Sequence, residues 1–260
     1  MNPISLEHTS GLPIQLSGER ILMQPGMSIP EYQEKHYQDW NEFFKEEPID
    51  KATTLYYIYR NVHLLTHQEL FVQKGLRYDI THLPATTVGK EALHTAGHIH
   101  KPNTHGVPFP ECYEVLYGTG TFLLQDNHTH HVYTATLTQG EHIIIPGNVA
   151  HITINADLHT PLIVANIFTN TPDASDYTPI QQHNGAAWVP YIQEEKIVFE
   201  KNDMYTNEYT LQQITAQPTA FHLTKDPIYT QYIQHPEIFD FLSSPEKYTQ
   251  QLDIAHLFSL

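Results

Sequence analysis

The sequence predicts a mainly β chain, a barrel or a sandwich, and two observations on its 260 residues carry that expectation. From Leu55 onward the chain runs in short segments rich in Tyr, Ile, Val, Thr and Phe, separated by Gly, Pro, Asn and Asp. Branched and aromatic side chains suit a pleated surface, and the separators supply turn conformations. The segments are 55–65, 77–83, 91–100, 113–118, 121–125, 131–137, 141–147, 151–155 and 161–168. Their short spacing leaves no room for crossover helices, which argues against a βαβ architecture.

On either side of these strands the texture changes. Residues 1–50 read as an N-terminal extension, with a helix expected from Pro30 to Lys45, where Tyr32, His36, Trp40, Phe43 and Phe44 recur at three- and four-residue spacing. Ser28 followed by Glu31 has the form of a capping box, and Pro30 suits a first turn. Residues 51–180 form the expected barrel, and 181–260 a C-terminal strand and helical extension in which the strand signal fades past Phe199. There, Ser244-Pro245-Glu246 is a helix-start pattern, with Ser243 or Ser244 as cap. Ile228, Tyr229, Tyr232, Ile233, Ile238, Phe239, Phe241 and Leu242 make this tail too apolar for disorder, so it is expected to pack across the barrel or a subunit interface.

Composition narrows the function. Thirteen Lys and Arg against 29 Asp and Glu give a formal charge of −16, which argues against a nucleic-acid or anionic-membrane partner. The single Cys112 forms no internal disulfide and no CxxC knuckle is present, which suits a reducing compartment. Without a basic-then-apolar leader or an 18-residue apolar run, a soluble cytoplasmic protein is expected. Nineteen histidines in a chain with only 16% charged residues direct attention to imidazole chemistry.

His98 and His100 flank one residue on a predicted strand, so both leave the same face and can converge on one ion. Glu111 follows, with Tyr113 and Val115 at even steps, while Cys112 and Glu114 alternate to the other face. Glu111 is therefore the inward carboxylate. His151 opens a strand after a tight turn in PGNVAHITIN.

These residues resemble the cupin signature. His98-Ile99-His100, Glu111 and Gly118 match its first half; Gly140, Pro146, Gly147, His151 and Asn155 match its second. The His100–Glu111 spacer is longer than usual, and Asn148 stands where the second motif has glycine. Asn tolerates a positive φ better than other non-glycine residues, so the turn is expected to survive. TAGHIH, PECYEVLYGTGTFLLQ and IIIPGNVAHITIN together resemble the cupin-type glucose-6-phosphate isomerases across roughly residues 50–180.

The resemblance implies a cupin double-stranded β-helix, or jelly-roll barrel, acting as a homodimer on a sugar phosphate. It implies a divalent metal on His98, His100, Glu111 and His151, with Fe²⁺ first and Mn²⁺, Ni²⁺ or Zn²⁺ as alternatives that spacing does not separate. Glu111 and Tyr113 become the catalytic candidates, for either a cis-enediol route or a hydride shift. Tyr56, Thr81, Thr95 and Gly97 become the phosphate-binding candidates, hydroxyls and backbone N–H groups standing in for scarce Lys and Arg. Phe168 and Ser175 replace a Tyr and a His of the family, while Asp176-Tyr177 matches it, with Tyr177 as a lid candidate. An Fe²⁺ dioxygenase and a non-catalytic sugar-phosphate-binding cupin are the competing readings.

The remaining histidines are assigned lesser parts. His128, His130 and His131 read as a surface hairpin, His94 as a barrel-lining residue without a ligand role, and His105 as a loop residue within reach of substrate. Cys112 points away from Glu111, which removes it as a nucleophile.

Overall fold

Two sheets carry the architecture of the computed structural model, which describes residues 3–217 and 220–259. The larger has six strands in the order His142–Ile145, Glu111–Tyr117, Leu162–Thr169, Leu76–Leu83, Thr54–Arg60 and Glu31–His36. The smaller has four, in the order Ala150–Asn155, Thr119–Asp126, His131–Thr138 and Thr210–Gln213, antiparallel except for its last pair. This is the mainly β arrangement expected of a cupin, with the two sheets left as separate hydrogen-bonded ladders.

The core lies between the sheets and continues under the C-terminal tail. Leu162–Thr169 is buried at every position, as its near-continuous apolar run and central place require. Tyr113 of the six-stranded sheet meets Phe122 of the four-stranded sheet with ring centroids 5.4 Å apart. Each strand predicted between 113 and 168 is present with its ends moved by one or two residues, including 141–147, which is trimmed to His142–Ile145.

Three local expectations are corrected. Instead of a helix from Pro30 to Lys45, Glu31–His36 is a strand, and helix is confined to Tyr37–Trp40 and a 3₁₀ turn at Asn41–Phe43. Pairing with Thr54–Arg60 completes the sheet edge, and that ladder outweighs a weak helical periodicity. Ser28 caps nothing there; its Oγ donates to the Asn61 carbonyl at 2.9 Å and accepts from His63 N–H at 3.0 Å. The 91–100 run is broken into Glu91–Ala92 and Ile99–His100, joined by single bridges from His94 to Ile154 and from His98 to His151. Strand structure also persists beyond Phe199, in Lys196–Lys201 and Thr210–Gln213.

The tail packs as expected. Helices occupy Ile228–Gln234, Asp240–Ser243 and Ile254–Leu257, whereas Pro245–Lys247 is one 3₁₀ turn to which Ser244 gives no side-chain cap. Ile228 N–H donates to the buried Glu114 carboxylate at 2.9 Å, docking the first helix on the face opposite Glu111. Among the described residues no helix is long and apolar enough to cross a membrane.

Two glycines explain why the motifs sit where they do. Gly118 turns between adjacent strands at φ +85°, and a Cβ there would lie 2.5 Å from the Pro161 carbonyl oxygen. Gly147 lets the 101–110 loop close over it: a Cβ would lie 2.5 Å from the backbone of Pro108 and Phe109. Asn148 is exposed and takes no left-handed φ, so the departure from the motif glycine costs the turn nothing. We expect Gly147→Ala to cost about 1–3 kcal/mol by overpacking and to weaken metal binding through displacement of Phe109. Urea unfolding and metal titration would check it; a variant as stable and as metal-competent as the parent would count against this role of the loop.

Candidate metal centre and substrate pocket

Backbone pairing brings the histidines together before their side chains contribute. His98 and His151 exchange backbone hydrogen bonds, His98 N–H to the His151 carbonyl at 3.3 Å and the reverse at 2.9 Å. Directly opposed residues on such a bridge project to the same side. His100, two positions on, joins them by alternation. Glu111 begins the six-stranded sheet's second strand, so the fourth group arrives from the facing sheet. Ligating atoms of His98, His100, Glu111 and His151 all lie within 4.8 Å of one another, and all but the half-buried His98 are buried.

Hydrogen bonding shows what this cluster lacks. His100 Nδ1–H donates to the Phe109 carbonyl at 2.6 Å, leaving Nε2 as an acceptor. That nitrogen lies 3.2 Å from His98 Nε2 and 3.2 Å from Glu111 Oε2. His151 Nε2 is 3.3 Å from the same carboxylate oxygen. Glu111 Oε1 accepts from Asn166 Nδ2 at 2.6 Å, whereas Oε2, His98 Nδ1 and both ring nitrogens of His151 have no hydrogen-bond partner among the described residues. Acceptors facing acceptors in a buried site call for a cation. Three neutral imidazoles and one carboxylate fit a mid-row divalent ion and leave two octahedral positions open.

Burial, reinforced by the neighbouring imidazoles, holds His98 well below its ordinary value; burial lowers His100 despite the pull of Glu111. Burial raises the Glu111 carboxyl, but contacts with His100 and His151 outweigh it and hold the group below the usual carboxylate range. Burial and the adjacent Glu111 raise the Tyr113 phenol well above normal, so it stays protonated.

The cluster opens into a cavity lined by alternate residues of the six-stranded sheet: Tyr56 and Arg60, Arg77 and Asp79, Glu111 and Tyr113, Asn166 and Phe168. Thr81, Thr95, His98, Ser175 and Tyr177 complete much of the wall. Tyr56, Thr81 and Thr95 therefore share the cavity with the metal cluster, but Gly97 does not line it. Ile152 and Ile180 side chains pack against that glycine's α-carbon instead. Tyr177 lies over His98, ring centroids 5.3 Å apart, and is backed by Trp40 at 5.2 Å.

Other expectations are revised. His94 does not line the cavity; it stacks on Phe44 and binds Glu91 Oε1 at 2.9 Å, a buried pair that also anchors the Lys45 and Glu46 N–H groups. His105 is exposed in a loop pinned by Asn103 and does not reach the cavity. Four polar cavity residues were not singled out from the sequence: Arg60, Arg77, Asp79 and Asn166. A signal existed, since Arg77 and Asp79 alternate within an otherwise apolar strand and Asn166 interrupts the run LIVANIF.

The lowered histidines give the metal-free protein a definite pH response. His63, His82, His98 and His100 all lie below 6.5 when folded, so the unfolded chain takes up protons first as pH falls. Stability therefore declines from about pH 7 to pH 5. His98→Gln removes one such group and flattens the decline in urea midpoints; an equally steep decline would oppose the assignment.

Among solved structures, the chain is similar at 13% identity to oxalate oxidase in complex with glycolate, with 62% of this chain and 59% of that chain covered and a TM-score of 0.34. For oxalate decarboxylase from Bacillus subtilis the values are 12%, 64%, 35% and 0.38, and for vicilin from Capsicum annuum 14%, 46%, 30% and 0.34. The chain spans less than two thirds of each. No curated protein matches it. The model of the family described as glucose-6-phosphate isomerase (GPI) matches residues 34–208, which contain the cavity-lining strands of the six-stranded sheet and all four clustered side chains. The chain belongs to the glucose-6-phosphate isomerase (GPI) family.

Proposed function

We propose that the protein is a metal-dependent aldose–ketose isomerase interconverting glucose 6-phosphate and fructose 6-phosphate. The observation that carries this reading is the buried three-histidine, one-carboxylate cluster at the wall of a cavity rich in hydroxyl and cationic donors. Fe²⁺ is the first choice of ion, with Mn²⁺, Ni²⁺ or Zn²⁺ as substitutes. When bound, it would supply a Lewis acid for the sugar carbonyl.

The chain's own groups do the rest. His98, His100, His151 and Glu111 Oε2 would hold the ion, while Asn166 holds Glu111 Oε1. A carboxylate so engaged, and held below its usual range, is a weak base. This favours a hydride shift between C1 and C2 over proton carriage by Glu111. Tyr113, neutral and beside Glu111, donates to a substrate oxygen where charge develops. Thr95 Oγ1 accepts from Thr153 N–H at 3.1 Å and Tyr56 Oη accepts from Ala96 N–H at 3.3 Å. Each hydroxyl thus keeps its own proton for a substrate oxygen. Tyr177 closes the cavity over His98 and limits water. The setting that goes with this reading is a cytoplasmic homodimer acting on a small sugar phosphate, without a nucleic-acid or membrane partner.

Chelation should abolish isomerisation of fructose 6-phosphate, and a divalent ion should restore it; full activity in protein shown by mass spectrometry to be metal-free would refute metal dependence. Oxygen uptake with no isomerisation would indicate a dioxygenase. Run in D₂O, a hydride shift leaves product C1 and C2 free of solvent deuterium, whereas proton carriage introduces it. Thr95→Val is expected to raise KM for the sugar phosphate several-fold, and unchanged kinetics would remove Thr95 from the substrate contacts.

A further inference from the structure

We infer that Arg60 and Arg77, held together on the Asp79 carboxylate, form a cationic clamp that selects phosphorylated sugars over neutral ones. This rests on the sugar-phosphate reading of the cavity and goes beyond the neutral donors, Tyr56, Thr81, Thr95 and Gly97, to which the sequence pattern assigns the phosphate.

Asp79 Oδ2 accepts from Arg60 Nη1 at 3.0 Å and from Arg77 Nε at 2.7 Å, and Oδ1 accepts from Asn61 N–H at 2.9 Å. The Asp79 side chain is 4% exposed, those of Arg77 and Arg60 16% and 28%. One carboxylate shared by two guanidinium groups leaves a net positive charge in a partly buried place. Arg77 is fixed further by donating Nη1 to the Thr169 carbonyl at 2.7 Å and by lying over Phe168, whose ring packs on His100. Arg60 commits only Nη1 among the described residues, so most of its donors remain for a ligand.

Both arginines line the inner cavity and also the groove that leads out of it past Thr171, Asp173 and Ser175. Among the described residues they are the only Lys or Arg side chains in the cavity wall, in a chain of net charge −16 that repels anions elsewhere. Register places Asp79 opposite Asn166, and Asn166 opposite Tyr113. Arg77 and Asp79 are thus two strands, roughly 10 Å, from the strand bearing Glu111 and Tyr113, and Arg60, on the strand beyond, reaches back to Asp79. That span suits an open-chain hexose phosphate with C1 and C2 at the histidine cluster and its phosphate at the arginines. A dianionic oxygen tripod matches paired guanidinium forks better than a point cation would. Asp79 is the positioning residue, since without it the two cations would repel.

The test uses full-length, metal-loaded protein and compares Arg60→Gln, Arg77→Gln and Arg60→Lys. Both Gln variants should raise KM and the calorimetric Kd for fructose 6-phosphate about 10- to 100-fold, with kcat held within about threefold. Weak binding of unphosphorylated fructose should not change, and Arg60→Lys should recover part of the loss by keeping charge. Melting temperature and metal stoichiometry verify folding. Should Arg77→Gln not fold, Arg60→Gln decides alone, because Arg60 ends its strand with a single ion pair. Folded, metal-bound Gln variants with parental Kd and KM would overturn the clamp. Fructose 6-phosphate bound by the parent without turnover, and weakened by Arg60→Gln, would support the clamp while refuting the isomerase reading.

Discussion

A buried carboxylate oxygen surrounded by imidazole nitrogens is tolerable only if positive charge sits among them. Removing an ion of this kind from water costs several kcal/mol even after relaxation, and here the direct protein contacts leave Glu111 Oε2 and His151 Nε2 without hydrogen-bond partners. The cluster also joins the two halves of the fold. Glu111 comes from the six-stranded sheet, His151 from the four-stranded sheet, and His98 and His100 from the segment laid between them. Filling the site with a cation therefore ties the sheets together, while leaving it empty sets lone pairs against each other at the centre of the core.

The support around the cluster is graded by how directly it acts. Phe109 fixes the His100 tautomer through its carbonyl, and Gly147 makes room for the Pro108–Phe109 backbone that presents it. Asn166 holds the other Glu111 oxygen. Such partners set ring orientation and ligand basicity, which is why a metal site depends on groups that never touch the ion. The same tight seating holds the Glu111 carboxyl low and the Tyr113 phenol protonated, and it is on this ground that hydride movement is proposed over proton shuttling.

The acidic surface and the proposed anionic substrate are reconciled locally. Net charge governs solubility and long-range steering, whereas a phosphate in a cleft is governed by the few groups within contact distance. Arg60 and Arg77 concentrate positive charge at the cavity mouth, and Asp79 keeps that charge ordered without cancelling it.

Much of the site was legible because metal chemistry needs particular side chains at particular spacings. His98-x-His100, Glu111 and His151 carried that information in the chain itself, as did Gly118 and Gly147 at their turns. Alternation likewise separated Glu111 and Tyr113 from Cys112 and Glu114. Residues whose importance arises from neighbours distant in sequence were not legible. Asn166 looks like a lone polar residue in an apolar strand until register sets it beside Glu111, and His94 looks like a barrel-lining residue until Glu91 and Phe44 claim its ring. Glu31–His36 carries a helical spacing that pairing with Thr54–Arg60 overrides, since one ladder of backbone hydrogen bonds outweighs a few tenths of a kcal/mol of local preference per residue. By itself, then, the sequence determined the strand-rich fold and the identity of the four side chains that cluster, because both rest on local pattern. Only the tertiary structure decided which groups share the cavity and that two arginines lean on one aspartate, because those facts depend on which strands lie side by side.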